Sequence, residues 1–285
     1  MIPAAFEYAR PTTVEEAVQA VAEGGEDVKI MAGGQSLIPV MRLRLAAPST
    51  VVDLGRVAEM RGVREEGDSL VIGAMTTHAE VIADPLIAQH ARLIAEATET
   101  VADRQTRRRG TFGGALAHAD PAGDLPAVAL ALDAEMVVAG PGGRRTVPAR
   151  EFFVDYLTTA LDEGEVLVEI RVPKLAGQWG VRYEKFNRVA QAWSIVAVAA
   201  AVRRENGHIA EARVGLTNMG PVPLRAAATE AALAGAGASP DAVAAAARSA
   251  AEGTSPSSDL NAQADYREHL AQVLTRRAVS AAAGL

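Results

Sequence analysis

The sequence predicts a mixed α+β protein whose alternating helix–strand first part is followed by a strands-then-helices C-terminal module. Three observations predict it. Short apolar strands alternate with amphipathic helices up to about residue 175; three β-rich runs then follow one another; and from Pro223 onward alanine dominates, as helices prefer.

In the first part, Thr12-Thr13 caps a helix whose apolar positions Val14, Ala17, Val18 and Val21 share one face, and Gly24-Gly25 ends it. Val28 to Met31 is a buried strand running into Ala32-Gly33-Gly34-Gln35-Ser36, with Ser36 expected to cap a helical turn through Leu37, Ile38, Val40 and Met41. Thr50 to Leu54 is the next strand, with Asp53 near its end. Ser69 to Ala74 reads as another strand, and Thr76-Thr77 starts a helix that Asp84-Pro85 interrupts. A long helix is expected over Pro85 to Arg104, leading to Arg109-Gly110-Thr111-Phe112-Gly113-Gly114-Ala115. Asp124 to Leu132 reads as helix and Glu135 to Ala139 as strand; Pro141-Gly142-Gly143 is a hairpin signal, and Val166 to Val172 is a strand. Near Leu175-Ala176-Gly177 the pattern changes. Val181 to Phe186, Trp193 to Val202 and Ile209 to Leu216 form a three-stranded antiparallel sheet, the last two joined by Glu205-Asn206-Gly207. Three helices near 224–235, 240–252 and 263–281 complete the chain. The expected division is residues 1–176, in lobes of about 1–57 and 58–176, and residues 177–285.

Composition removes several function classes. With 285 residues, 49% hydrophobic and 22% charged, the chain has the profile of an ordinary soluble protein. A net charge of −7 argues against nucleic-acid binding, which needs basic surface. The absence of cysteine excludes a thiolate nucleophile and an iron–sulfur cluster ligated by this chain's thiolates. The five histidines are scattered without ligand spacing, so no metal site and no metal residue is expected. The start, Met1-Ile2-Pro3-Ala4-Ala5-Phe6-Glu7, lacks a secretory leader pattern, and no run reaches the roughly 18 apolar residues of a membrane span, which makes a cytoplasmic location the expectation.

The two glycine pairs carry the functional signal. Glycines directly after a strand remove the Cβ that would keep a ligand from the main chain, and successive N–H groups there converge on a concavity suited to phosphate. Each charge-assisted bond contributes roughly 1.5–3 kcal/mol, so several hold a pyrophosphate without a lysine. The competing reading of each pair alone is a tight turn. Two such loops fit a ligand with two ends, an anionic dinucleotide, although neither completes the Rossmann fingerprint or a Walker loop.

Taken in order, Ala32-Gly33-Gly34-Gln35-Ser36-Leu37-Ile38-Pro39, Arg109 to Pro121 and Asp124-Leu125-Pro126-Ala127 resemble the FAD-binding medium subunit of the molybdenum hydroxylases, the family of aerobic carbon monoxide dehydrogenase and xanthine dehydrogenase. Phe6-Glu7-Tyr8-Ala9-Arg10-Pro11, Val71 to Thr77, Tyr183-Glu184-Lys185-Phe186 and Gly215-Leu216-Thr217-Asn218 extend the likeness over nearly the whole chain. The resemblance implies a vanillyl-alcohol-oxidase-type (PCMH-type) FAD domain in two lobes, followed by the C-terminal domain of such flavoproteins. It implies that Ala32, Gly33, Gly34, Gln35, Ser36 and Leu37, with Thr111, Gly113, Gly114 and Ala115, wrap the FAD pyrophosphate. Asp124 is then expected at the cofactor's polar parts, Lys185 near the flavin or ribityl chain, Val101 and Leu167 as apolar contacts, and Trp193 over a flavin face. A core position at the start of a strand is the other reading of Trp193, and a solvated lysine on an edge strand is the other reading of Lys185.

The resemblance also implies partners: a small iron–sulfur subunit and a large molybdopterin subunit that carry the clusters and the molybdenum cofactor, assembled as a dimer of heterotrimers. Substrate is oxidised in the large subunit, so no residue of this chain is catalytic. Electrons pass through non-covalent FAD to quinone or NAD, and any membrane association comes through the complex. His118 reads as a loop histidine bonded to backbone, and Arg107-Arg108-Arg109 as a solvated face or a patch meeting an acidic partner or a cofactor phosphate. Three departures stand out. Ala192-Trp193 lacks the acid that related subunits place before the aromatic residue, Arg108 replaces a polar residue, and His118-Ala119-Asp120-Pro121 has the form of the wider family. Carbon monoxide is the first expectation for the substrate of the complex; purines, aldehydes and N-heterocycles stay open. The competing classes are a stand-alone FAD oxidoreductase and a binding protein that lost FAD.

Overall fold

The structure, a computed structural model, describes residues 2–25 and 27–285. Met1, the first residue of the leader reading, lies outside them, as does Glu26.

The first lobe contains β1 (Glu7–Ala9), α1 (Val14–Gly24), β2 (Val28–Met31), α2 (Leu37–Arg42) and β3 (Thr50–Asp53). Its three strands are parallel in the order β1-β3-β2. α1 forms as its spacing predicts: Thr13 accepts from the Glu16 amide, and Val14, Ala17, Val18 and Val21 are buried. Ser36 precedes α2 but makes no side-chain cap, because its backbone is already helical.

The second lobe runs through β4 (Val63–Glu66), β5 (Ser69–Gly73), α3 (His78–Ala83), α4 (Pro85–His90), α5 (Arg92–Glu99), α6 (Arg104–Arg107), α7 (Phe112–His118), α8 (Asp124–Ala131), β6 (Glu135–Gly140), β7 (Gly143–Pro148), α9 (Ala149–Phe152), β8 (Phe153–Asp155), β9 (Thr158–Thr159) and β10 (Val166–Pro173). β4, β5, β10, β6 and β7 form an antiparallel sheet in that order. The long helix expected over 85–104 is three helices. Ala91, at φ −142° and ψ 42°, leaves helical space after α4, and Ala102 is left-handed before Asp103 recaps the chain at α6. That break exposes the Thr100 carbonyl used below.

β11 (Trp179–Phe186), β12 (Val196–Glu205), β13 (His208–Thr217) and the two-residue β14 (Leu224–Arg225) form the C-terminal sheet, so a short fourth strand joins the three expected. α10 (Ala227–Leu233), α11 (Pro240–Ala246) and α12 (Ala264–Ala282) follow. β12 explains its own apolar run. Ala197, Ala199 and Ala201 pack into the core shared with the first two lobes, while Val196, Val198, Ala200 and Val202 pack into a second core with α12. Between the sheet and the second lobe lies α8, buried at every position, which fits its lack of a polar face. The buried α8 brings Asp124, its first residue, to the junction of the domains. Among the described residues no helix is long and apolar enough to cross a membrane.

Candidate functional site at the junction of three lobes

The loop after β2 is open at its main chain. Among the described residues, the amides of Gly33, Gly34, Gln35 and Ser36 donate to nothing in the chain; the bonds of this loop run through its carbonyls, Ile38 N to Gly34 O (3.1 Å) and Gln35 Nε2 to Gly33 O (3.3 Å). Four successive free N–H groups leading into a helix are an anion-binding arrangement. Two glycines make it possible. Gly34 sits at φ +72°, and a Cβ on Gly33 would lie 2.2 Å from the Arg109 carbonyl oxygen and 2.7 Å from the Gly110 Cα.

The second loop therefore lies directly against the first, but its amides are used differently. Phe112 N and Gly113 N donate to Thr76 O and Ala74 O, both at 2.9 Å, Ala115 N donates to Thr111 O, and Gly114 N donates to the Thr111 hydroxyl at 3.1 Å. Its glycines serve close packing: a Cβ on Gly113 would fall 2.4 Å from the Ala74 Cβ, and one on Gly114 2.6 Å from Thr111 Oγ1 and 3.1 Å from the Ala32 Cβ. The two loops expected to wrap one ligand therefore differ in how their amides are engaged. The first loop offers the donors and the second forms the wall behind it.

α7 carries the chain from this wall to Asp124, and here the C-terminal domain enters. Asp124 Oδ1 accepts from the Tyr183 hydroxyl (2.7 Å) and the Ser194 hydroxyl (2.8 Å), and Oδ2 accepts from Lys185 Nζ (2.8 Å). Both charged side chains are about 5% exposed. Asp124 is thereby engaged first by its own chain rather than held open for a ligand. Lys185 also donates to Thr100 O at 3.1 Å, so two of its three N–H bonds are used among the described residues and one is left. The picture of a solvated edge-strand lysine fails: β11 is the edge of its sheet, yet the face carrying Tyr183 and Lys185 is covered by α5 and α8. Burial pushes the Tyr183 phenol well above its ordinary pKa, and the Asp124 charge adds to this, so Tyr183 is a fixed donor.

The other predicted residues divide. Val101, partly buried, precedes the left-handed Ala102, and its carbonyl accepts from Arg107 Nη1 at 2.7 Å. Arg107 is therefore tied inward, whereas Arg108 and Arg109 are exposed. Leu167 is buried in β10 at a bulge. Trp193 is 55% exposed ahead of β12, not a core residue beginning a strand. His118 ends α7, with its ring 6.4 Å from that of Trp193 and Nε2 3.9 Å from Asp120 Oδ2, rather than bonding backbone from a loop. Sequence reasoning missed Tyr183 and Ser194 as site residues. Tyr183 was within reach, because it shares the period-2 face of Lys185; Ser194 carried no signal. Among the described residues no cluster of three or more metal-ligating side chains occurs.

Beneath the second loop His78 donates its main-chain N–H to Gly110 O (2.9 Å), and its buried Nδ1 has no partner among the described residues. Burial, with the nearby Arg107 charge, lowers its pKa from 6.5 to about 4. Below pH 6.5 the unfolded chain takes up this proton and the folded one resists it, so stability falls as pH drops towards 4. The loss attributable to His78 is about 3 kcal/mol at 1.36 kcal/mol per unit. Urea titrations of wild type and His78→Gln at pH 7 and pH 4.5 should show a smaller acid loss in the variant; equal losses refute the assignment.

Comparison with known proteins adds three findings. Residues 4–175 match the family model described as the FAD binding domain in molybdopterin dehydrogenase, and residues 181–282 match that of the CO dehydrogenase flavoprotein C-terminal domain. The chain is 43% identical over 282 residues to the carbon monoxide dehydrogenase medium chain of Hydrogenophaga pseudoflava, covering 99% of this chain and 98% of that one. Among solved structures, carbon monoxide dehydrogenase from the same organism, in a form lacking the Mo-pyranopterin moiety, superposes with TM-score 0.97 at 45% identity, covering 99% and 98% of the two chains. Quinoline 2-oxidoreductase from Pseudomonas putida 86 superposes with TM-score 0.95 at 34% identity, covering 100% and 99%.

Proposed function

Since the chain belongs to the family of FAD-binding domains in molybdopterin dehydrogenases and carries the CO dehydrogenase flavoprotein C-terminal domain behind it, we propose that it is the flavoprotein medium subunit of an aerobic carbon monoxide dehydrogenase. It is an oxidoreductase subunit whose partners are a small and a large subunit of a molybdenum hydroxylase. In our reading, the small subunit delivers electrons from iron–sulfur clusters, the large subunit holds the molybdenum cofactor, and the assembly is a dimer of heterotrimers in the cytoplasm, meeting a membrane only through the complex.

The observation that carries the reading is the run of four unengaged amides at Gly33–Ser36 against the Arg109–Gly110 wall, ahead of a buried Asp124–Lys185 pair. Such amides suit a diphosphate, and in our reading the remaining Lys185 donor serves the flavin or ribityl chain. When bound, FAD takes electrons singly and releases them in pairs, chemistry that belongs to the cofactor. The chain's residues bind it, orient it and set the charge beside it. With no histidine between Ala32 and Ser36, we hold the FAD to be non-covalent; acid precipitation should leave the pellet colourless.

The match to quinoline 2-oxidoreductase favours a second reading in which the large subunit takes an N-heterocycle. Purified with its neighbouring gene products, the assembly should contain FAD, iron and molybdenum and should oxidise carbon monoxide. Activity on quinoline or purine alone supports the second reading; FAD without partners supports a stand-alone oxidoreductase.

In our reading electrons leave to quinone or NAD, and the exposed Trp193 covers a flavin face and restricts the latter. Trp193→Ala should accelerate flavin reduction by NADH on the order of tenfold in the intact assembly. An unchanged rate removes the residue from that role.

A further inference from the structure

Arg267, in the first turn of α12, is 1% exposed, which is rare for an arginine and demands a purpose. Its guanidinium bonds the Ile195 carbonyl through Nη1 and Asp259 Oδ2 through Nη2 at 2.8 Å, and its buried Nε has no partner among the described residues. The same carbonyl accepts from Asn218 Nδ2 at 3.2 Å, which also reaches Ser194 O at 2.8 Å. Asn218 is itself fixed, left-handed at φ 62° with its amide on Pro121 O at 2.8 Å. The Ile195 amide is anchored on Phe186 O at 2.8 Å. Residues 194–195 are therefore gripped at main-chain atoms from α12, from Asn218 just after β13, from the end of β11 and, through the Ser194 amide, from Ala122 O at 3.4 Å, and the side-chain group they send onward is the Ser194 hydroxyl, donated to Asp124.

A cation this deep is a costly way to hold a loop. Replacement of buried polar groups by apolar ones of similar volume is often neutral or stabilising, so fold stability alone is a poor reason for it. What Arg267 does that methionine would not is fix the Ile195 carbonyl, and with it the direction of the Ser194 hydroxyl. We propose that Arg267 is a positioning residue: acting through Ile195 and Ser194, it holds Asp124, and hence Lys185, in the geometry that receives the cofactor. The inference rests on the functional reading above. It makes the C-terminal domain a working part of the FAD site, and it couples the site to the Asp259 loop that Arg267 also grips.

The test uses the full chain within the purified, deflavinated assembly. Arg267→Met should weaken FAD binding about tenfold, and Arg267→Lys should recover at least half of that change on a logarithmic scale. Leu274→Ala, which cuts a buried side chain from the same helix and removes no hydrogen bond to 194–195, should lower the melting temperature but leave FAD affinity within about twofold. In the double-mutant cycle, Arg267→Met should have little further effect on FAD affinity once Ser194 is alanine. Unchanged FAD affinity in Arg267→Met, an equal loss in Leu274→Ala, or additivity with Ser194→Ala overturns the proposal. Amide exchange supplies a readout that needs no FAD: Ser194 and Ile195 should exchange at least about tenfold faster in Arg267→Met than in Leu274→Ala of matched stability. Thus a wild type that takes up no FAD refutes the functional reading, whereas matched exchange in the two variants refutes the role of Arg267.

Discussion

Gly33→Ala leaves both hydrophobic cores intact and lowers the FAD content of the purified chain by at least about tenfold, because the added methyl group forces apart the two loops that form the cradle. The new Cβ would lie 2.2 Å from the Arg109 carbonyl oxygen and 2.7 Å from its carbon, all backbone atoms that cannot rotate away. Arg109 and Gly110 in turn are tied down, since Arg109 N and Gly110 N donate to Thr106 O and Gly110 O accepts from His78 N. The cheapest relaxation moves the 32–36 loop, which carries the unengaged amides. Gly142→Ala is the control: its Cβ would meet nothing within 4 Å, and FAD content should not change. Flavin absorbance per chain decides the matter, and a Gly33→Ala protein that retains its yellow colour shows that the loop contact is not needed.

Asp124→Ala should be the most damaging single change at the site, lowering unfolding free energy by about 3–5 kcal/mol as well as removing FAD. It takes the acceptor from Tyr183, Ser194 and Lys185 together, and leaves Lys185, 5% exposed, with only the Thr100 carbonyl. Lys185→Met is milder. Asp124 would keep two hydroxyl donors and its place as the first residue of α8, where the helix dipole favours a negative charge. Its mark should be functional: removing a cation beside the cofactor lowers the flavin potential. Urea unfolding of the full chain should therefore rank wild type, Lys185→Met and Asp124→Ala in that order of decreasing stability. A Lys185→Met protein as unstable as Asp124→Ala contradicts this division of roles.

Local chemistry made much of the site legible. Gly33 and Gly34 follow a strand and precede a helical turn, as read from the sequence, although the strand expected to be buried is buried only at Val28. Residue-level reading could not tell the two glycine pairs apart, because the difference lies in Ala74 and Thr76, nearly forty residues upstream, whose carbonyls consume the amides of Gly113 and Phe112. Lys185 read as solvated on its own, since strand periodicity places it on a face but does not say what covers that face. Trp193 stands outside its expected strand because Asn218 and Arg267, far along the chain, take the carbonyls that would have begun the ladder. The one long helix became three for a local reason, the conformations of Ala91 and Ala102, that no propensity marks.

The most direct measurement is amide hydrogen exchange at Gly33–Ser36 and at Phe112–Ala115, with and without FAD. The first set should exchange freely in the FAD-free chain and slow at least about a hundredfold when FAD is bound, while the second set should already be slow in both states. Exchange at Gly33–Ser36 that FAD leaves unaltered, or slowing confined to Phe112–Ala115, would contradict this expectation.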